Sequence, residues 1–249
     1  GGIGFIVTVD LYNWGRKRVR KEERRPHLTL HTRIVLVSTA SLLVLGTVLT
    51  LGLEYDHTLK DLNFWEKLNA SFFQSVTART AGYATIPQGE LGDATKLVTI
   101  ILMFIGASPS STGGGIKTTT FVVLVATVVS ISRGRDETVI NKRRVDKSVV
   151  YRAMTIVAMA FLVIAITSGV IMVTTPPEVS AIDAVYEAVS AFGTVGLTTG
   201  LTPDLSIVAK ILVMLTMFIG RVGPISLVLA LTMKHSGGPG KILPEGKVI

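Results

Sequence analysis

The chain has 249 residues, 48% of them hydrophobic and 17% charged, with a formal net charge of +8 and a mean hydropathy of +0.54, which lies above the usual soluble range and makes a bilayer the expected solvent. Without cysteine there is no disulfide framework, thiolate metal site or cysteine nucleophile. The positive charge sits mostly in two blocks, WGRKRVRKEERRPH (14–27) and SRGRDETVINKRRVDK (132–147). Lying between apolar runs, they suit cytoplasmic membrane loops, and with no aromatic platform or recognised motif beside them they do not point to nucleic acid.

The opening GGIGFIVTVDLYNW is apolar with no basic segment ahead of it, unlike a signal peptide. It reads as the end of a helix begun upstream, and the chain as the C-terminal part of a longer protein. Ile34 to Leu53 carries no charge; about 20 residues at about 1.5 Å each cross a hydrocarbon core of about 30 Å. A short amphipathic stretch around 63–76 follows, too short to cross and consistent with a re-entrant helix, and then a loop with Gly and Thr, TARTAGYAT. A second apolar region, Leu97 to Ile131, is interrupted by GASPSSTGGGIKTTT (106–120). Val149 to Val173 predicts a third span, with Arg152 placed where its side chain can snorkel. Another short amphipathic stretch, 178–191, and another loop, SAFGTVGLTTG, lead to a fourth span from Ser206 to Leu231 that carries Arg221 deep inside.

The two units are related. At one constant offset, Thr80, Gly82, Thr85, Leu91, Lys96, Met103, Phe104, Ile105 and Gly106 fall on Thr194, Gly196, Thr199, Leu205, Lys210, Met217, Phe218, Ile219 and Gly220 without a gap. This is an internal repeat of span, short helix, loop and span. The basic blocks precede each first span, whereas Glu54, Asp56, Asp61, Glu90, Asp93, Glu178, Asp183 and Asp204 lie on the other side. The basic side is therefore expected to be cytoplasmic, and both units run the same way, as parallel repeats around an axis along the membrane normal do.

A dehydrated cation needs oxygens in place of its water, and backbone carbonyls aimed at one axis supply them densely. Such a run needs backbone of alternating handedness, which glycine tolerates; Gly82 and Gly196 hold equivalent places after Thr-Ala and Thr-Val. Irregular backbone at membrane depth must be buried in protein or line a polar pathway. Short helices ending before each loop would turn their negative dipole ends toward a waiting cation.

At these residues the chain resembles the Trk/Ktr/HKT superfamily of potassium transporters, most of all its Ktr membrane subunit (KtrB-like). The resemblance implies an all-α transmembrane fold of tandem M1–pore helix–M2 repeats like K+ channel subunits, with an intramembrane gating loop. TARTAGYAT and SAFGTVGLTTG look like the third and fourth of four filters, so Thr80, Ala81, Gly82 and Tyr83 with Thr194, Val195, Gly196 and Leu197 would line half the filter and hold K+ on their carbonyls. GASPSSTGGGIKTT would be the gating loop, with Gly106, Ser110, Ser111, Thr112, Gly113, Gly114, Gly115 and Lys117 in it and Arg221 reaching its carbonyls. The division implied is 1–14, end of the preceding M2 helix; 15–32, cytoplasmic linker; 33–132, third repeat with a broken M2; 133–148, cytoplasmic linker; 149–235, fourth repeat; 236–249, tail. The resemblance further implies K+ uptake across the cell membrane, looser selectivity from one glycine per loop, possible Na+ activation and no cofactor in this chain. Its partners would be the N-terminal half of the transporter, a second copy in a homodimer, membrane lipid and a cytoplasmic nucleotide-binding ring (KtrA-like). No bond is made or broken, so the chain is not read as an enzyme.

Rival readings exist for each feature. The Gly loops could be ordinary extracellular turns. The 106–120 segment could be a flexible kink or a phosphate-binding loop, although Ile116 separates its glycines from Lys117 and no strand leads in. Pro109 and Gly113 to Gly115 break a helix in any case. Arg221 suits a helix-to-loop tether as well as a gate. Tyr83 could face a cation but more commonly would pack behind the filter, and Glu187 could attract cations or accept hydrogen bonds from backbone. The histidines show no metal spacing. The rival mechanism is an alternating-access secondary cation transporter with discontinuous helices, which would place ionisable groups beside the breaks; a further rival is a membrane anchor indifferent to its loop glycines.

Overall fold

A computed structural model describes residues 2–20, 27–135, 137–141, 143–175 and 179–223. Helix α1 (Phe5–Val19) runs past the expected end at residue 14, because Arg16, Lys17 and Arg18 are good helix formers and suit a helix C-terminus. Helix α2 (Leu30–Glu54) begins where the Thr29 side chain accepts from the Thr32 amide, the cap that a first-turn N–H needs. Helix α3 (Phe64–Thr77) opens with a capping box, Asn63 Oδ1 taking the Glu66 N–H and Glu66 Oε2 the Asn63 N–H, both at 3.0 Å.

Helix α4 (Asp93–Phe104) ends at the expected interruption, and α5 (Thr118–Ser132) resumes after it. The basic linker that follows is not wholly irregular: β1 (Val139–Ile140) and β2 (Arg143–Arg144) pair antiparallel. Helix α6 (Lys147–Thr174) starts on an Asp146 cap, α7 is the short helix Ala181–Gly193, and α8 covers Ile207–Val222. Helix α8 stops before Gly223, whose φ is 89°, with Arg221 in its last turn; the part of the expected fourth span from 224 to Leu231 lies outside the described residues. The tail and the remainder of 149–235 lie outside the described residues.

Among the described residues α2 and α6 are long and apolar enough to cross a membrane, and both show apolar side chains outward, including Val37, Val44, Phe161 and Leu162. The centre is instead occupied by the short helix α7, which packs on α4, α6 and α8. Tyr186 and everything from it to Gly193 is buried. Helix α3 packs mainly on α2 with the reverse polarity: Ser71, Gln74, Ser75 and Thr77 are buried while Phe64, Trp65 and Phe72 are exposed. Glu54, 1% exposed, fastens the C-terminal end of α2, accepting from the Thr58 hydroxyl at 2.8 Å and the Gly92 N–H at 3.0 Å. This joins the end of α2 to the start of α4.

Candidate functional site

Each short helix runs directly into a glycine loop, and the two loops meet. Thr80 and Gly82 have φ of 69° and 80°, and Thr194 and Gly196 have 50° and 93°; Ala81 and Val195 between them are not left-handed. Handedness therefore alternates in both segments at equivalent positions of the repeat. The segments touch: a Cβ on Gly82 would lie on the Val195 carbonyl oxygen and 3.5 Å from the Gly196 Cα. Only glycine fits there, for its backbone conformation and for the close approach.

Helix ends hold these loops from behind. The Thr77 carbonyl accepts from the Ala81 and Gly82 amides at 3.1 and 3.3 Å, and the Ser190 carbonyl from the Val195 amide at 2.9 Å. The Thr77 hydroxyl donates to the Tyr83 carbonyl and the Ser190 hydroxyl to the Leu197 carbonyl, both at 2.6 Å. No described residue donates to the carbonyls of Thr80, Ala81, Gly82, Thr194, Val195 or Gly196. The expected run of lining carbonyls thus divides: the inner three of each loop are free acceptors, while those of Tyr83 and Leu197 are engaged by hydroxyls. Tyr83 is 72% exposed and does not pack behind the loops.

The interruption between α4 and α5 lies against both loops. Its neck closes where Ile105 bridges Ile116 and the Ile116 amide donates to the Phe104 carbonyl at 3.3 Å. Its tip meets the two threonines: a Cβ on Gly113 would strike the Thr80 side chain, and the Gly114 N–H donates to Thr194 Oγ1 at 3.0 Å. A Cβ on Gly106 would strike the Gly114 carbonyl, and one on Gly115 would be 3.4 Å from both the Gly106 and Gly193 Cα atoms. Lys117 Nζ donates to the Gly113 carbonyl at 2.6 Å. Arg221 donates from α8 to the Thr112 carbonyl. The start of the chain joins in, with the Ser108 amide on the Gly2 carbonyl and the Phe5 amide on the Ser110 carbonyl, each at 3.0 Å. Ser111 donates to the Ser108 carbonyl. A helix leads into this loop, not the strand of a phosphate-binding loop.

All the residues singled out in the two glycine loops and the interruption therefore form one contiguous cluster. Others belong to it that the sequence did not mark. Arg79 donates to the Gly106 carbonyl at 3.3 Å; its place directly before Thr80 was the available signal. Glu187, left open between two roles, takes the hydrogen-bonding one: it accepts from the hydroxyls of Thr198 and Thr202 and from the Thr199 amide. Gln74, Gln88 and Tyr186 form a buried polar cluster, for which nothing in spacing or composition called. Among the described residues no group of three or more His, Asp or Glu could hold a metal ion.

Residues 1–238 match the TrkH family, described as a cation transport protein. The chain is 38% identical over 230 residues to the Ktr system potassium uptake protein B of Bacillus subtilis, covering 92% of this chain and 49% of that protein. It is 40% identical over 237 residues to the potassium/sodium uptake protein NtpJ of Enterococcus hirae, covering 94% and 51%. The crystal structure of the potassium transporter TrkH from Vibrio parahaemolyticus superposes with a TM-score of 0.67 at 20% identity, over 93% of this chain and 49% of that one. The chain spans about half the length of the curated relatives it matches.

Proposed function

Because the chain belongs to the TrkH family of cation transport proteins, with its all-α membrane fold, we propose that it supplies two of four filter-bearing repeats of a Ktr-type K+ uptake subunit. K+ is passed along the free carbonyls of Thr80, Ala81, Gly82, Thr194, Val195 and Gly196, with Tyr83 and Leu197 at the outer boundary. These oxygens replace hydration water, and the ends of α3 and α7 direct negative dipole ends toward the same place. No covalent chemistry is required.

The segment Gly106 to Lys117 acts as the gate. Ser110, Ser111, Thr112, Gly113, Gly114 and Gly115 obstruct the path on the side of Thr80 and Thr194, and Lys117 and Arg221 hold them there. The observation that carries the reading is the meeting of three glycine-bearing backbones, two of them alternating in handedness: Gly82 on Val195, and Gly113 and Gly114 on Thr80 and Thr194. An ordinary turn has no reason to keep its carbonyls free and its neighbour in backbone contact. The names of the relatives, potassium uptake and potassium/sodium uptake, fit a monovalent cation and leave Na+ as co-activator or competitor.

The remaining assignments follow the same reading. The preceding half of the transporter completes the ring, α1 (Phe5–Val19) being the end of its last M2 helix; 33–132 and 149–235 are the third and fourth repeats. The linker between α1 and α2 and the linker 133–148 face the cytoplasm, where a nucleotide-binding ring docks, and the tail 236–249 contributes to a homodimer. The test is growth of a potassium-uptake-deficient bacterium at low K+ on the full-length protein. Gly82→Asp or Gly196→Asp abolishes growth, and deletion of Ser110 to Gly115 raises K+ flux; normal growth of both glycine variants sinks the pathway, and unchanged flux sinks the gate.

A further inference from the structure

We propose that Gln74, Gln88 and Tyr186 are positioning residues, a neutral brace that sets the spacing of the two filter segments and with it the preference for K+ over Na+; this rests on the pathway proposed above. The three are 1%, 3% and 0% exposed. Gln74 Nε2 and the Tyr186 hydroxyl both donate to Gln88 Oε1, at 2.6 and 2.8 Å. Gln88 Nε2 donates to Gln74 Oε1 at 3.1 Å and to the Ile86 carbonyl at 2.6 Å. Both acceptor sites and both donors of the Gln88 amide are therefore used, so its position is fixed in every direction.

The brace joins three bodies. Gln74 lies one turn before the end of α3, Gln88 opens a single 3-10 turn (Gln88–Glu90) in the chain that leaves the first filter loop, and Tyr186 lies on α7, one turn before the Ser190 that holds Val195 and Leu197. It therefore crosses from one repeat to the next between the two short helices whose ends hold Gly82 and Val195. The second repeat also ties its departing loop to its own short helix, through Glu187 and Thr202; the first extends the tie, through Gln88, to its neighbour's helix. Buried amides and a phenol within an apolar cluster stabilise little over well-packed hydrocarbon. What they add is a fixed distance, since a saturated network has one geometry. Being uncharged, the brace neither attracts nor repels the ion. Selectivity depends on how many carbonyls reach the ion and at what separation, and that separation is what the brace holds.

The test uses the full-length transporter in the same uptake-deficient bacterium, measuring K+ uptake against competing Na+. Tyr186→Phe removes the bond between repeats and Gln74→Met the bond within one; Thr167→Val, which removes the buried 2.7 Å hydroxyl pair with Thr216, is the control for lost stability alone. Either brace variant lowers the K+/Na+ ratio roughly three- to tenfold, the scale of one net hydrogen bond, while Thr167→Val leaves it unchanged. A ratio that is unchanged in both variants, that rises, or that falls equally in the control overturns the brace, as does failure of both to accumulate, which makes the cluster a requirement of folding. If uptake is indifferent to Gly82→Asp, the pathway itself has failed, a result distinct from any of these.

Discussion

Thr80 and Thr194 are β-branched residues held in the left-handed region, a conformation that costs about 1–3 kcal/mol and persists only where its surroundings impose it. For Thr194 the surroundings include the Gly114 amide on its hydroxyl. Thr194→Val keeps the shape and removes the acceptor, leaving a part-buried N–H without a partner at a cost of about 1–3 kcal/mol. The expected outcome is a raised resting K+ leak, read as faster K+ loss from loaded cells. Glu187 spends both carboxylate oxygens on the loop beyond Gly196. Glu187→Ala frees that loop, and the apparent KM for K+ rises roughly tenfold, the scale of one net hydrogen bond, whereas maximal uptake changes less. Gly82 and Gly196 were legible because a repeat places them in register. That the threonines would share their handedness was not, since nothing in a threonine announces a positive φ.

Helices α2 and α6 declared themselves through uninterrupted apolar length, and the break between α4 and α5 through Pro109 and three consecutive glycines. The pair β1–β2 did not, being four residues within a charged linker. Nor did the inverted burial of α3, which the amphipathic pattern alone assigns to the opposite face. Its cause is local: the Ser75 hydroxyl donates to the Leu43 carbonyl at 3.0 Å, and Gly46 of α2 lets α3 come this near, since a Cβ there would strike Ser75 and lie 2.7 Å from Leu102 Cδ1. Gly46→Leu forces the two helices apart and destabilises the fold by about 1–3 kcal/mol. A lowered thermal midpoint of the purified transporter checks it.

Between the two repeats the polar contacts are few and specific. Lys96 Nζ lies 2.8 Å from Asp183 Oδ1, with the lysine side chain 7% exposed, so α4 of one unit is locked to the start of α7 in the next. Removing one partner of this part-buried pair costs about 1–3 kcal/mol. Asp183→Asn is expected to reduce folded protein severely, with Lys96→Met/Asp183→Leu recovering most of it; fluorescence-detected size exclusion would show whether it does. Lys96 was visible as a repeat identity, yet its partner was not, because the pairing joins residues far apart in sequence. The loop that meets Thr80 and Thr194 is built differently. Gly106, Gly115 and Gly193 meet through backbone alone, and the side chains that seat against the loop tip are the short ones of Thr80 and Thr194, on Gly113 and Gly114. A seam of backbone and two small side chains has shallow relief, so displacement along it disturbs little of the packed core. Resistance to movement is then concentrated in discrete hydrogen bonds, among them those of Lys117, Arg221, Thr194 and Arg79 and those to the backbone of Gly2 and Phe5, each of which can be released singly.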